Sequence, residues 1–92
     1  MAVYVDRMKT PLGRMLMSHM LADSVEELHA MADTIGIARK HFQRGTKHHD
    51  MPHYDICQAK RAMAIEAGAI EIGRRETALL MRKLRAEATR TK

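Results

Sequence analysis

The stretch SVEELHAMADTIG, residues 24–36, contains the clearest helix in the chain and decides the fold class. Ser24 and Glu27 form a capping box at its start, and Gly36 suits the left-handed conformation that commonly ends a helix. The apolar residues recur at helical spacing and form one stripe, which comprises Val25, Leu28, Met31, Ala32 and Ile35. This helix is flanked by segments typical of strands, so the chain alternates between the two kinds of element.

Three segments have strand patterns. Residues 2–6, AVYVD, alternate apolar and polar side chains and predict a first strand. Residues 14–21, RMLMSHML, predict a second strand with both faces largely covered. Residues 69–72, AIEI, predict a third strand that ends at Gly73. The segment between the first two strands, which contains Pro11 and Gly13, is predicted to be a loop.

Further helices are expected in the second half of the chain. Asp55 is interpreted as the cap of a helix that ends at Gly68, with Gln58 as its reciprocal partner. Residues 74–87, RRETALLMRKLRAE, predict the last helix, with Leu80, Met81 and Leu84 facing inward. Residues 37–43 predict one short helical turn. The predicted order is β-β-α-(α)-α-β-α.

This order predicts a small α/β domain of two or three layers. It has about three strands, partly parallel, with three to four helices. The 92 residues leave no room for a second core, so residues 1–88 are predicted to form one domain, followed by a basic tail at residues 89–92. A sheet of three strands is small, and a homodimer that extends or covers it is one expectation.

The composition indicates a compartment. Cys57 is the single cysteine, which rules out an intramolecular disulfide and fits a reducing cytosol. No apolar run approaches the ~20 residues that a membrane-spanning helix needs. Nine methionines, against one phenylalanine, two tyrosines and no tryptophan, predict an adaptable core or an apolar interface. A cytoplasmic protein with no membrane span is therefore expected.

The charge is positive and unevenly distributed. Sixteen basic residues face eleven acidic ones, a net charge of +5 with neutral histidines, and much of the excess lies after residue 73. Positive charge attracts nucleic acid, phosphorylated ligands or acidic partners. A strand, then Gly73, then Arg74 and Arg75 at a helix start would suit a phosphate or carboxylate. Residues 85–92 are interpreted as a solvated face and tail.

Two groups of residues are candidates for metal or proton chemistry. His19 with Asp23, or with Asp6, would bind a divalent metal or form a base and its orienting carboxylate. If the strands are parallel, Asp6, Asp23 and Gly73 lie at the same edge of the sheet. The alternative is a structural histidine in a strand and Asp23 as a cap beside Ser24.

The second group is in HHDMPHYDICQAK, residues 48–60. His48, His49 and Asp50 are interpreted as a solvated loop tip. The segment PHYD, residues 52–55, is different, because Pro52 restrains the backbone just before a predicted helix. Its histidine and aspartate are candidates for catalysis.

These motifs together resemble a bacterial and phage family, domain of unknown function 4031. The resemblance covers roughly residues 1–85 and rests on MAVYVD, GRMLMSHMLAD, ELHAMADTIGIARKHFQ and PHYDICQAKRAMAIEAGAIEI. It implies a bacterial or phage setting and brings no activity. It also implies that HYD and the pair His19 and Asp23 are family features, whereas His48 and His49 are not.

The first functional hypothesis is that the protein binds a phosphate-bearing ligand, either a nucleotide or nucleic acid. His53, Tyr54 and Asp55 would shape the pocket, and Tyr54 would stack on a base. The anion contacts would come from basic side chains at Arg14, Lys60, Arg61, Arg74 and Arg75.

Two other hypotheses stay open. One is a metal-assisted hydrolase or nuclease, in which a bound ion generates the nucleophile from water. Its residues would be His19, Asp23, His53 and Asp55, with Asp6 as a further ligand. Convergence of these side chains at metal–ligand distances would favour this hypothesis. The other is a protein-interaction module, such as a phage-borne modulator of a host protein, with the strand Met15–Met20 at an interface.

Overall fold

A computed structural model describes residues 2–43 and 52–90. The predicted loop tip at His48, His49 and Asp50 lies outside these residues. In chain order the strands are β1 (Val3–Val5), β2 (Thr10–Leu12), β3 (Met15–Ala22), β4 (Phe42–Gln43), β5 (His53–Cys57) and β6 (Ile70–Glu71). The helices are α1 (Val25–Ile35), α2 (Gln58–Glu66) and α3 (Arg74–Arg90), with a 3₁₀ turn at Arg39–His41.

The strands form one mixed sheet in the order β4-β5-β3-β1-β6, with β2 also paired to β3. Strands β1 and β6 are parallel, and the other pairs are antiparallel. Strands β1 and β2 follow one another along the same side of β3, because β5 occupies its other side. The chain between β1 and β2 therefore leaves the sheet beside Ser18 and His19.

Helix α1 begins and ends where the sequence predicts. The Glu27 N–H donates to Ser24 Oγ at 3.2 Å, and Gly36 adopts φ 79°, a conformation in which its N–H bonds the last carbonyls. Leu28, Ala32 and Ile35 of the apolar stripe are buried. Val25, at the first turn, is exposed.

Alternation along the strands gives the sheet two different faces. Helices α1 and α2 pack on one face, over a core that includes Val3, Val5, Met20, Ala22, Tyr54 and Ile56. The neighbouring residues of the same strands point to the other face. His19 lies directly opposite Asp55 in the β3–β5 ladder, and the Asp6 N–H donates to His19 O at 3.0 Å. Asp6, which follows the last residue of β1, thus forms a row with His19 of β3 and Asp55 of β5.

The predicted α/β class and the partly parallel sheet are confirmed, but the sheet is larger than predicted. Strands β2, β4 and β5 have two to five residues each. They were missed because segments of this length show too little alternation to be recognised. The N-terminal half of β3 is also more exposed than predicted. Within the described residues, no helix is long and apolar enough to cross a bilayer.

Two local predictions are wrong. Asp55 is not a helix cap, because it lies in the middle of β5, and α2 begins at Gln58 after Cys57, whose side chain makes no capping bond. Asp23 does not share an edge with Asp6, because β3 runs antiparallel to β1. Of the residues predicted for this edge, Asp6 and Gly73 lie there, just beyond the parallel strands β1 and β6, where the Ile72 N–H donates to Val5 O at 2.9 Å.

Candidate metal site

Asp6 and His19 form a buried pair at the point where β1 leaves the sheet. Asp6 is fully buried, and its Oδ2 lies 2.7 Å from His19 Nδ1. Its Oδ1 accepts the backbone N–H groups of His19 at 2.9 Å and Met8 at 3.2 Å. The carboxylate thus takes the place of a strand carbonyl. Because an ionised carboxylate only accepts hydrogen bonds, His19 carries its proton on Nδ1 and directs Nε2 away from Asp6.

The same contacts determine the ionisation of Asp6. Burial works to raise the pKa of its carboxyl, since a charged group loses hydration there. The hydrogen bonds from the His19 ring, the His19 N–H and the Met8 N–H, together with the electrostatic interaction with the His19 ring, outweigh this cost. The pKa of Asp6 consequently lies below its ordinary value of 3.8.

This depressed pKa predicts a loss of stability in acid. A carboxyl whose pKa is lower in the folded state stabilises the fold at pH values above its unfolded pKa, and the contribution disappears as the pH falls through the folded pKa. We expect the free energy of unfolding, measured by urea titration, to decrease as the pH falls below about 4. In Asp6→Asn this part of the slope should vanish. An unchanged slope in the variant would contradict the assignment.

His53 and Asp55 of β5 complete a cluster with His19. Asp55 Oδ1 lies 3.4 Å from His53 Nε2 and 3.7 Å from His19 Nε2. One ligand atom from each of the three residues lies within 4.8 Å of the other two. The His53 side chain is 6% exposed, whereas those of His19 and Asp55 are 25% and 33% exposed. The cluster is therefore anchored in the sheet and open on one side.

Gln43 of β4 holds the carboxylate of Asp55 from the other side. Its Nε2 donates to Asp55 Oδ2 at 2.7 Å, so Oδ1 is the oxygen that faces the two histidines. The pairing of β4 with β5 places Gln43 beside His53. The sequence offered no reason to select Gln43, because it belongs to no recognisable ligand motif and β4 is only two residues long.

The arrangement has the features of a site for a divalent metal ion. Two histidines and one carboxylate are a common set of zinc ligands when one position is left for water. Zinc–ligand bonds of ~2.0–2.1 Å in a tetrahedron place neighbouring ligand atoms about 3.4 Å apart, close to both distances from Asp55 Oδ1. A histidine ligand usually donates its second ring N–H to a carboxylate or carbonyl, as His19 does to Asp6.

Space for water or substrate lies beside this cluster. A cavity of about 110 Å³ is lined by His19 and Asp55 together with Thr10, Pro11 and Met17. A water molecule in bulk liquid occupies about 30 Å³. The open side of the cluster thus has room for a water molecule and a small reacting group.

Asp23 and Tyr54 lie outside the cluster. Asp23 follows the last residue of β3, four residues and ~13 Å beyond His19. There it accepts hydrogen bonds from Tyr4 Oη at 3.0 Å and from the Ala2 N–H at 2.8 Å. Tyr54 points to the opposite face of the sheet, and its hydroxyl lies 2.8 Å from His29 Nδ1. Its side chain is fully buried, so no ring face is available for stacking on a base.

The predicted anion-binding residues are dispersed. Lys60 Nζ donates to Ile35 O at 2.7 Å, at the end of α1. Arg61 donates to Asp6 O at 2.8 Å and contacts Glu71 at 3.0 Å. The other three are exposed, Arg14 after the turn between β2 and β3 and Arg74 and Arg75 in the first turn of α3.

The fold and the cluster define a small α/β domain with a histidine–carboxylate site on the open face of its sheet. The chain belongs to the family described as protein of unknown function (DUF4031), whose model matches residues 3–84 of the 92. The match includes the whole cluster. No curated protein and no solved structure matches the chain.

Proposed function

We propose that this protein is a metal-assisted hydrolase that binds one divalent ion of the zinc type through His19, His53 and Asp55. The observation that carries the proposal is the convergence of these three side chains from two neighbouring strands. Asp6 and Gln43, each hydrogen-bonded to a member of the cluster, give it the outer support that metal ligands usually have.

Each residue has a distinct role in this proposal. The His19 and His53 rings donate nitrogen lone pairs, and Asp55 supplies one negative charge. Asp6 keeps the His19 proton on Nδ1, so Nε2 stays available to the ion. A zinc-type ion, when bound, lowers the pKa of a coordinated water and supplies a hydroxide nucleophile near neutral pH. The cavity beside Thr10 and Met17 admits the water and the reacting group.

Metal loading tests the proposal directly. Zinc-free protein titrated with Zn²⁺ or Co²⁺ at neutral pH should take up one ion per chain, measured by calorimetry and elemental analysis. Binding to the folded state alone stabilises it by about 2.7 kcal/mol when the free ion is at 100 times its dissociation constant. The melting temperature should rise accordingly and fall again on chelation. Failure to bind either ion would reject the proposal.

A second candidate function is the binding of a phosphate-bearing ligand such as nucleic acid at the start of α3, and it is supported by the net charge of +5 and the exposed Arg74 and Arg75. Binding of an oligonucleotide should then weaken steeply with salt. Replacing both arginines by alanine should reduce the salt slope, whereas Arg82→Ala, an exposed control on the same helix, should change it less. A flat salt response would count against phosphate contacts.

We also propose a cellular compartment, an origin and an interaction surface for this protein. The free Cys57 supports a reducing cytoplasm, and the family resemblance supports a bacterial or phage origin. Met15 and Leu16 are 50% and 43% exposed, which supports a homodimer or a host-protein contact at this end of β3. Met20 cannot contribute to such an interface, because it is fully buried in the core.

A further inference from the structure

A shallow groove adjoins the candidate metal site. It has a volume of about 310 Å³ and is lined by Met15, Met17, Ile37, Cys57 and neighbouring residues. We call it the Met17 groove. Asp55 and Met17 line both this groove and the smaller cavity beside His19. The two spaces therefore share part of their walls, and a molecule whose reactive group lies at the cluster would have the groove beside it.

The chemistry of the groove indicates what it would hold. Among the lining residues that the structure describes, none is phenylalanine, tyrosine or tryptophan, His41 supplies the one imidazole ring, Asp55 is the only acidic residue, and most of the others are aliphatic or contain sulfur. Nucleobases usually bind by stacking on such rings or on arginine. Methionine side chains are unbranched and flexible, so they adapt to an irregular apolar chain. The lining therefore favours an aliphatic segment over a base.

One fixed cation adds a second preference. Lys60 lines the Met17 groove, and its ammonium group is held by the hydrogen bond to Ile35 O. A positive charge fixed in the wall disfavours a cationic ligand. The groove volume lies at the lower end of the range for small-molecule sites, which suits a short chain rather than a polymer.

We propose that the Met17 groove binds the aliphatic part of the substrate, whose oxygen-bearing reactive group lies at the metal site. The substrate class is an unbranched alkyl chain joined to a carboxylic or phosphoric ester or amide. This inference rests on the proposed metal-dependent hydrolysis, and it names the substrate class of that site.

The test uses ligands that separate the metal-binding group from the chain. Zinc-loaded protein is titrated with acetohydroxamate and octanohydroxamate, which share one chelating group and differ in alkyl length. A fully buried methylene strengthens binding by up to about fourfold. In this half-open groove we expect octanohydroxamate to bind about tenfold more tightly or better. Octyl phosphate is a third probe, and its affinity relative to octanohydroxamate distinguishes a phosphoric from a carboxylic reactive group.

Two variants test where the alkyl chain of the hydroxamate binds. Met15→Ser removes apolar surface from the groove at a half-exposed position and should reduce the advantage of the longer hydroxamate. Leu16, its neighbour on β3 with a similar exposure, does not line the groove, so Leu16→Ser should retain the advantage. Unchanged circular dichroism and zinc stoichiometry in both variants show that the fold and the site are intact.

Each other outcome has one meaning. Equal affinity for the two hydroxamates would overturn the groove assignment and leave the metal site standing. Displacement of octanohydroxamate by a dinucleotide would overturn the groove assignment in favour of a nucleotide. A protein dimer that octanohydroxamate neither dissociates nor binds would overturn it in favour of a second copy of the chain. If the protein takes up no zinc, the proposed function fails. The groove is then tested by titrating zinc-free protein with octanoate and with acetate. If octanoate changes none of the backbone-amide NMR chemical shifts of Met15, Met17 and Cys57, the groove assignment is rejected.

Discussion

His53→Ala is expected to lower the affinity for Zn²⁺ by more than about 100-fold. Loss of an outer hydrogen-bond partner alone typically costs 10–100-fold in metal affinity, and His53 is proposed as one of only three protein ligands. His53 Nε2 lies 3.4 Å from Asp55 Oδ1. Removing the imidazole ring leaves His19 and Asp55 as the only two proposed protein ligands. Competition titration with a chromogenic chelator measures the change, and hydrolytic activity should be lost with it.

His41→Ala is the matched control, because His41 is an exposed histidine outside the cluster. Its zinc affinity should equal that of the wild type. Since His53 is buried, Asp55→Asn provides a second variant at a one-third exposed position, where folding is less at risk. Wild-type zinc affinity in both His53→Ala and Asp55→Asn would show that the ion is not bound by this cluster.

Asp6→Ala is expected to reduce the free energy of unfolding by about 3–5 kcal/mol. The carboxylate is fully buried and accepts hydrogen bonds from the His19 ring and from the N–H groups of His19 and Met8. Alanine removes all these acceptors, and the buried donors then lack partners. Urea unfolding followed by circular dichroism measures the loss.

The control is Asp33→Ala, at an exposed carboxylate whose contact with Arg39 is 3.4 Å. Exposed ion pairs contribute about 0–1 kcal/mol, so little change is expected there. Asp6→Asn, which keeps one acceptor oxygen, should be less destabilised than Asp6→Ala and still bind zinc about 10–100-fold more weakly than the wild type. Equal stability of Asp6→Ala and Asp33→Ala would refute the role of Asp6 in the sheet.

Much of the fold could be predicted from local patterns. Ser24, Glu27 and Gly36 define both ends of α1 through contacts with residues close in sequence. The strand at Val3–Val5 shows its alternation directly. Strand β5 was harder to predict from the sequence. Tyr54 and Ile56 are the two apolar residues that mark its alternation, and the polar His53 and Asp55 resemble a loop before a helix. Once β3 lies beside it, the same two residues face the open side of the sheet and become candidates for chemistry.

The candidate site was predicted in part. His19 with Asp6, and His53 with Asp55, were recognised by residue type, and one hypothesis combined them with Asp23 in a single metal site. Their relation depends on the antiparallel pairing of β3 with both β1 and β5, which puts Asp6, His19 and Asp55 in one row and moves Asp23 to the far end. Gln43 and the inward orientation of Tyr54 also depend on this pairing, and neither has a sequence signal.

By itself, the sequence determined the α/β class, the ends of α1 and the residue types available for chemistry, because helix caps, apolar periods and side-chain inventories are local properties. Only the tertiary structure decided which of those residues meet. Strand partners and their register come from contacts between residues far apart in the chain, and a shift of one position would turn His19 or Asp55 to the opposite face. The cluster of His19, His53 and Asp55 is a consequence of that register.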